Sequence, residues 1–137
     1  MALTHLADTS VLTRLGAAPV RGVLEPLVEA GCVARAGITD LEVGFSARDV
    51  TEWDELMAAL AVLKLIESTA THVARARQVQ RLLAEHRLRG RKVPDLLIAA
   101  AAEERGLIVL HYDADFDVIS SVTGQPVEWI VTRGSID

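Results

Sequence analysis

The sequence has a single cysteine, Cys32, in 137 residues. One thiol cannot close an intramolecular disulfide or build a cysteine-based zinc site, so disulfide-stapled secreted scaffolds and zinc fingers are excluded. Positive charge is also short: 14 Lys and Arg stand against 19 Asp and Glu, a formal net charge of −5. Domains that hold nucleic acid by broad electrostatic attraction carry the opposite balance, so any nucleic-acid contact must be local. No apolar run reaches the roughly 18 residues of a membrane span, and the N-terminal residues lack a basic stretch leading into a secretory apolar core. Neither a G-x-G-x-x-G nor a P-loop pattern occurs, which leaves dinucleotide and nucleoside-triphosphate enzymes without support. What remains is half apolar and long enough to bury one core. The expectation is a single cytoplasmic domain over residues 1–137, with no membrane partner.

Strand and helix signals alternate along the chain. Residues 3–7 read as a strand that stops at Asp8-Thr9-Ser10, where side-chain oxygens suit a helix N-cap. A short helix over 11–15 breaks at Gly16 and Pro19, and a second, over 20–30, places Val23, Leu24, Leu27 and Val28 at helical spacing. Residues 32–34 read as a strand and 40–47 as a helix. Trp53, Leu56, Met57 and Leu60 mark a helix over 51–60, followed by a strand at 63–66. The longest helical pattern covers 70–89, with Val73, Ala76, Val79 or Gln80, Leu83 and His86 on one face. A helix from Pro94 to Glu104, a strand at 107–110, a short helix ending near Val122 and a strand at 127–131 complete the order. The fold class is α/β: a central, mostly parallel sheet of about five strands flanked by helices.

In such sheets the ligand site lies outside the carboxyl ends of the strands. Asp8 follows the first strand, Glu42 lies in the helix after the second, Asp95 opens the helix before the 107–110 strand, and Asp113 and Asp115 follow that strand. Mostly apolar residues lie between them. Carboxylates gathered without Lys or Arg partners repel, a cost tolerated mainly where a divalent cation offsets it. An all-oxygen set suits Mg²⁺, with Mn²⁺ as a substitute. Each acid also has a purely structural reading. Asp8 suits an N-cap, Thr39-Asp40-Leu41-Glu42 matches a capping box, and Asp95 after Pro94 suits another cap. Asp113, Asp115 and Asp117 suit a solvated turn; a calcium loop is excluded because Val118 and Gly124 stand at its glycine and glutamate positions. Those readings leave unexplained why separate junctions repeat one residue type where strand ends converge.

The chain resembles the PIN-domain ribonucleases, and within them the VapC-type toxins of bacterial toxin–antitoxin pairs. The likeness rests on Leu6-Ala7-Asp8-Thr9-Ser10-Val11, Ile38-Thr39-Asp40-Leu41-Glu42-Val43-Gly44, Pro94-Asp95-Leu96-Leu97-Ile98-Ala99 and Leu110-His111-Tyr112-Asp113-Ala114-Asp115-Phe116-Asp117, in matching order and spacing. It implies a PIN-like fold and a metal site built by Asp8, Glu42, Asp95 and Asp113, with Asp115 the additional acid. Thr9 or Ser10 supplies the supporting hydroxyl, and His111 stands where the family often has Thr or Ser. The implied activity is Mg²⁺-dependent hydrolysis of an RNA substrate leaving 5′-phosphate and 3′-hydroxyl ends, with the general base open between Glu42 and Asp115. The implied protein partners are a second copy, giving a homodimer, and a VapB-type antitoxin that blocks the acidic site, through helices in the 49–63 region.

Arg75, Arg77, Arg81, Arg87, Arg89, Arg91 and Lys92 hold half of the 14 cations in one stretch leading to Asp95. They read either as a basic rim for flanking phosphates or as a solvated helix face. His72 and His86 read as packed residues, His5 as a strand residue, Cys32 as buried, and Trp53 and Trp129 as core. Two other functions compete: an aspartyl-phosphate receiver and an inactive PIN-like binding module. A receiver needs a Lys after a late strand, and the only lysines are Lys64 and Lys92; an inactive module is expected to lose acids, and none is missing.

Overall fold

The computed structural model describes residues 2–137. Five strands form one parallel sheet in the order β3-β2-β1-β4-β5. β1 (His5–Ala7) is central, pairing with β2 (Val33–Ala36) through His5 and Val33 and with β4 (Ile108–His111) through Leu6 and Val109. β3 (Lys64–Ile66) and β5 (Val127–Trp129) close the two edges.

Successive side chains in a strand point to opposite faces, and the sheet divides its core accordingly. Leu6, Ala34 and Val109 face α5 (Ala70–Glu85), α6 (Val93–Arg105) and α7 (Asp115–Thr123), packing on Val79, Leu83, Ile98 and Phe116. Ala7, Val33 and Leu110 face α1 (Thr9–Leu12) and α2 (Ala18–Glu29), packing on Val11, Val20 and Leu24. Burial on both faces is why the strands read as short continuous apolar runs. α6 stops at Gly106, whose φ of 66° is left-handed backbone that a glycine adopts without a Cβ clash.

Several boundaries differ from the sequence reading. α2 begins at Ala18, so Pro19 starts that helix, where its missing N–H costs nothing. α3 (Gly37–Gly44) begins three residues earlier than expected, directly after β2. It is tied down by Arg35, a buried cation in β2 whose guanidinium donates to Asp40 at 2.7 and 3.2 Å and to the Leu63 carbonyl. The 49–63 stretch holds one helix, α4 (Val50–Leu60), which packs on α3. α5 ends at Glu85, four residues short of the expected end, because Arg87 turns left-handed with φ of 59°.

Some inward assignments are also corrected. Val23 and Val73 are more than a third exposed and His86 is exposed, while His72 is buried against Glu104 at 2.8 Å. Trp53 is 46% exposed because its ring lies across α3 at Gly44, the residue there with no side chain to displace it. Trp129 is half-buried on β5, and Cys32 is buried as expected. No helix among the described residues is long and apolar enough to cross a membrane.

Candidate metal centre

The five predicted acids reach the carboxyl edge of the sheet from different elements. Asp8 leaves β1 and caps α1: its Oδ2 accepts the Ser10 N–H at 3.0 Å, while its buried Oδ1 has no hydrogen-bond partner. The cap therefore uses one oxygen and leaves the other for the site. α3 starts at Gly37, so Thr39 lies inside the helix and forms no capping box with Glu42. Glu42 instead accepts the Thr9 hydroxyl at 2.7 Å, and that hydroxyl lies 3.0 Å from the Thr39 hydroxyl.

α6 starts at Val93 with Lys92 at its N-cap, which places Asp95 in the first turn rather than at the cap. Asp95 is 4% exposed, and its Oδ2 has no hydrogen-bond partner. Asp113 and Asp115 occupy the turn from β4 into α7, where Asp113 Oδ1 accepts the Asp115 N–H at 2.9 Å. One carboxylate oxygen from each of Asp95, Asp113 and Asp115 lies within 4.8 Å of the others. Asp8, Glu42, Asp95 and Asp113 share the wall of a single pocket of about 540 Å³. Asp117 stands apart, accepting the Trp129 indole N–H at 2.9 Å.

The electrostatics of this group divide between two buried acids and one held by a lysine. Burial pushes Asp95 up from its ordinary 3.8 to about 8, and the charge of Asp8 adds to the effect. Burial also raises Asp8. Asp113 goes the other way: burial opposes its charge, but the Lys92 hydrogen bond and the Asp115 N–H outweigh it and hold the carboxyl low. Burial lowers His111, against the charges of Asp117 and Asp113.

The acids are not free of cationic partners, which corrects the expectation. Lys92 Nζ lies 2.7 Å from Asp113 Oδ2, 3.7 Å from Asp95 Oδ2 and 3.9 Å from Asp115 Oδ2, and Arg91 donates to Asp115 Oδ1 at 2.7 Å. Lys92 reaches the acids from the start of α6 and not from the end of a late strand, where a receiver domain needs its lysine. The rest of the basic stretch does not form a common rim. Arg75 pairs with Glu103 at 2.6 Å and Arg81 with Glu85, both away from the pocket.

The pocket wall also includes residues outside the predicted site, among them Arg14, Tyr112, Trp129 and Arg133. Arg14 lies 4.9 Å over the Tyr112 ring and Arg133 5.6 Å over the Trp129 ring. Tyr112 directly follows β4, so the strand-end rule that found the acids also points to it; Arg133 lies four residues beyond the end of β5.

A hard divalent cation answers this arrangement. It would satisfy the buried Asp8 Oδ1 and Asp95 Oδ2, and the donor set is entirely carboxylate oxygen. The residues present therefore fit Mg²⁺ or Mn²⁺.

The sequence model of the PIN domain matches residues 6–121. Over 137 residues, the whole length of both chains, the sequence is 65% identical to ribonuclease VapC51 of Mycobacterium tuberculosis. It is 42% identical to ribonuclease VapC21 of the same species over 98% of this chain and 99% of that one. Among solved structures, a toxin–antitoxin complex from Klebsiella pneumoniae superposes with a TM-score of 0.70 at 25% identity, covering 93% of this chain and 98% of that one.

Proposed function

The chain belongs to the PIN-domain family, in its VapC branch, and from that premise we propose that it is a metal-dependent endoribonuclease toxin silenced by a VapB-type antitoxin. One observation carries the reading: acids from β1, α3, α6 and the β4–α7 turn converge on one pocket, with two buried carboxylate oxygens unpartnered.

Mg²⁺, with Mn²⁺ as a substitute, would be held by Asp8, Glu42, Asp95, Asp113 and Asp115. When bound it supplies charge stabilisation at the scissile phosphate and lowers the pKa of water. The chain's own residues do the rest. Thr9 holds Glu42 at the pocket wall. Asp115 is neutralised by Arg91, whereas Glu42 accepts only a neutral hydroxyl, so Glu42 is the better acceptor for the proton of the attacking water. Arg14 and Arg133 line the pocket and hold phosphates on either side of the scissile one.

The antitoxin seat is a second, mostly apolar groove of about 740 Å³ between the α1–α2 and α3–α4 pairs, floored by Leu24, Leu56 and Leu60. Glu42 and Thr13 line both this groove and the acidic pocket, so a bound segment abuts the acids. A second copy covers Leu41, Phe45 and Val50, which are 71, 92 and 71% exposed. An RNA substrate and a lone cysteine with no partner for an intramolecular disulfide support a cytoplasmic location.

The test is cleavage of total cellular RNA by purified, antitoxin-free protein with Mg²⁺ or Mn²⁺, with EDTA, and with Asp8→Asn or Asp95→Asn. Cuts at defined sites that require metal and vanish in both variants support the reading. A folded wild type that cuts no better than the variants overturns it.

A further inference from the structure

His111 ends β4 two residues before Asp113 and is fully buried. Its Nδ1 accepts the backbone N–H of Asp113 at 3.2 Å, so the ring proton resides on Nε2. Nε2 faces Asp117 Oδ1 at 3.8 Å, too far for a hydrogen bond. The ring is clamped between Phe116 and Trp129, with centroids 5.2 and 4.9 Å away, and Trp129 also fixes Asp117 through its indole N–H. The His111 carbonyl accepts the Ile130 N–H at 2.8 Å, anchoring the backbone as well. Every soft torsion of this side chain is therefore held.

What the clamp holds is the turn that carries the acids. The Asp113 N–H is hooked by the His111 side chain, and the Asp115 N–H is hooked by the Asp113 side chain. The two hooks run in series, each joining a side-chain acceptor to the amide two residues on. The second hook starts from a backbone whose N–H the first one fixes, while its carbonyl accepts the Phe116 N–H at 3.2 Å.

Resting on the metal-centre reading, we propose that His111 is a positioning residue: its unprotonated Nδ1 sets the Asp113 backbone, so that Oδ1 closes the turn and Oδ2 is aimed at the bound cation. The alternative is that the ring only fills space between Phe116 and Trp129. The two roles separate in a pair of substitutions. In His111→Asn the amide oxygen reaches the place of Nδ1; in His111→Gln it reaches the place of Nε2. Both lose the ring equally.

The experiment is a Mn²⁺ titration followed by electron paramagnetic resonance on wild type, His111→Asn and His111→Gln. It is joined by long-range ¹⁵N–¹H spectra of the His111 ring and amide exchange of Asp113 in metal-free protein. The expected result is an Nε2–H tautomer and a protected Asp113 amide in wild type. His111→Gln should lose Mn²⁺ affinity by about tenfold or more, as when other groups that orient metal ligands are removed, while His111→Asn stays close to wild type. Equal affinities for the two variants, or a proton on Nδ1, overturn the proposal. If neither variant folds, the ring tautomer and Asp113 exchange in wild type decide it. A wild type that binds no Mn²⁺ refutes the metal centre itself, whereas the tautomer and amide readouts need no metal and report on the His111 contact alone.

Discussion

The ammonium of Lys92 lies 2.7 Å from Oδ2 of Asp113, on the side that also faces Asp95 and Asp115. It stands where positive charge is wanted and competes with any divalent cation for the same oxygens. Lys92→Met should therefore tighten Mn²⁺ binding by about two- to fivefold, the equivalent of the roughly 0.5 to 1 kcal/mol of a solvent-screened ion pair. Calorimetric titration checks it; unchanged or weaker binding would show that Lys92 does not occupy the cation's place.

Asp95 makes the stability of the metal-free fold depend on pH. In the metal-free fold its carboxyl is pushed up to about 8, against an ordinary 3.8. Between those values the folded chain keeps a proton that the unfolded chain has lost, so stability falls as pH rises across that window. Asp8, raised for the same reason, adds to the fall. Scanning calorimetry in EDTA should show the melting temperature dropping by roughly 10 °C or more from about pH 5 to 8, each kcal/mol being worth roughly 3 to 5 °C at this size. Asp95→Asn should flatten that slope and melt above wild type at pH 8. Parallel slopes would remove Asp95 as the cause.

Thr9 donates its hydroxyl to Glu42 at 2.7 Å across two elements that nothing in sequence proximity joins. A hydrogen bond to a charged group is worth about 1.5 to 3 kcal/mol. Thr9→Val should thus lower kcat for RNA cleavage by about tenfold or more, and Thr9→Ser should restore it. A valine variant as active as wild type would release Glu42 from any dependence on this contact.

Arg14 and Arg133 should act on substrate binding rather than on chemistry. Replacing either by alanine is expected to raise KM by roughly tenfold with little change in kcat. The slope of log affinity against log salt should shrink by about 0.7 per arginine, the value for phosphates of a single strand. Salt slopes equal to wild type would place both side chains outside the RNA path.

Ala59 is exposed in the wall of the apolar groove. Ala59→Glu should therefore leave the fold within about 0.5 kcal/mol of wild type and leave RNA cleavage intact, yet weaken binding of the antitoxin. Co-purification of the tagged variant with its antitoxin reads this directly. Retention at wild-type stoichiometry would move the antitoxin elsewhere on the surface.

The acids were legible because strand-to-helix alternation alone locates the carboxyl edge, and Asp8, Glu42, Asp95, Asp113 and Asp115 all fall beside it. Their local roles were less so. The Thr39–Glu42 capping box fails because Arg35 anchors Asp40 and α3 begins directly at Gly37, a contact reaching from one element to the next that a four-residue pattern does not contain. Lys92 was visible as one of a run of cations, but which carboxylates it meets depends on the β4–α7 turn 21 residues further on. Helical periodicity likewise finds a stripe without fixing its edges: Leu60 and Trp53 share one in α4, and only Leu60 is buried. Trp53 lies against Gly44, an arrangement that depends on how α3 and α4 cross.

The central place of β1 has a consequence for synthesis. Asp8 leaves the ribosome well before residues 108–111, the β4 strand with which its own strand completes its pairing. Parallel pairing across such a separation forms late, after the intervening crossovers have folded. A nascent chain that has exposed β1, β2 and β3 therefore still lacks Asp113 and Asp115 at the carboxyl edge. Translation has to pass residue 115 before the acids can meet, so a ribosome that has made only the first three strands carries no assembled acidic site.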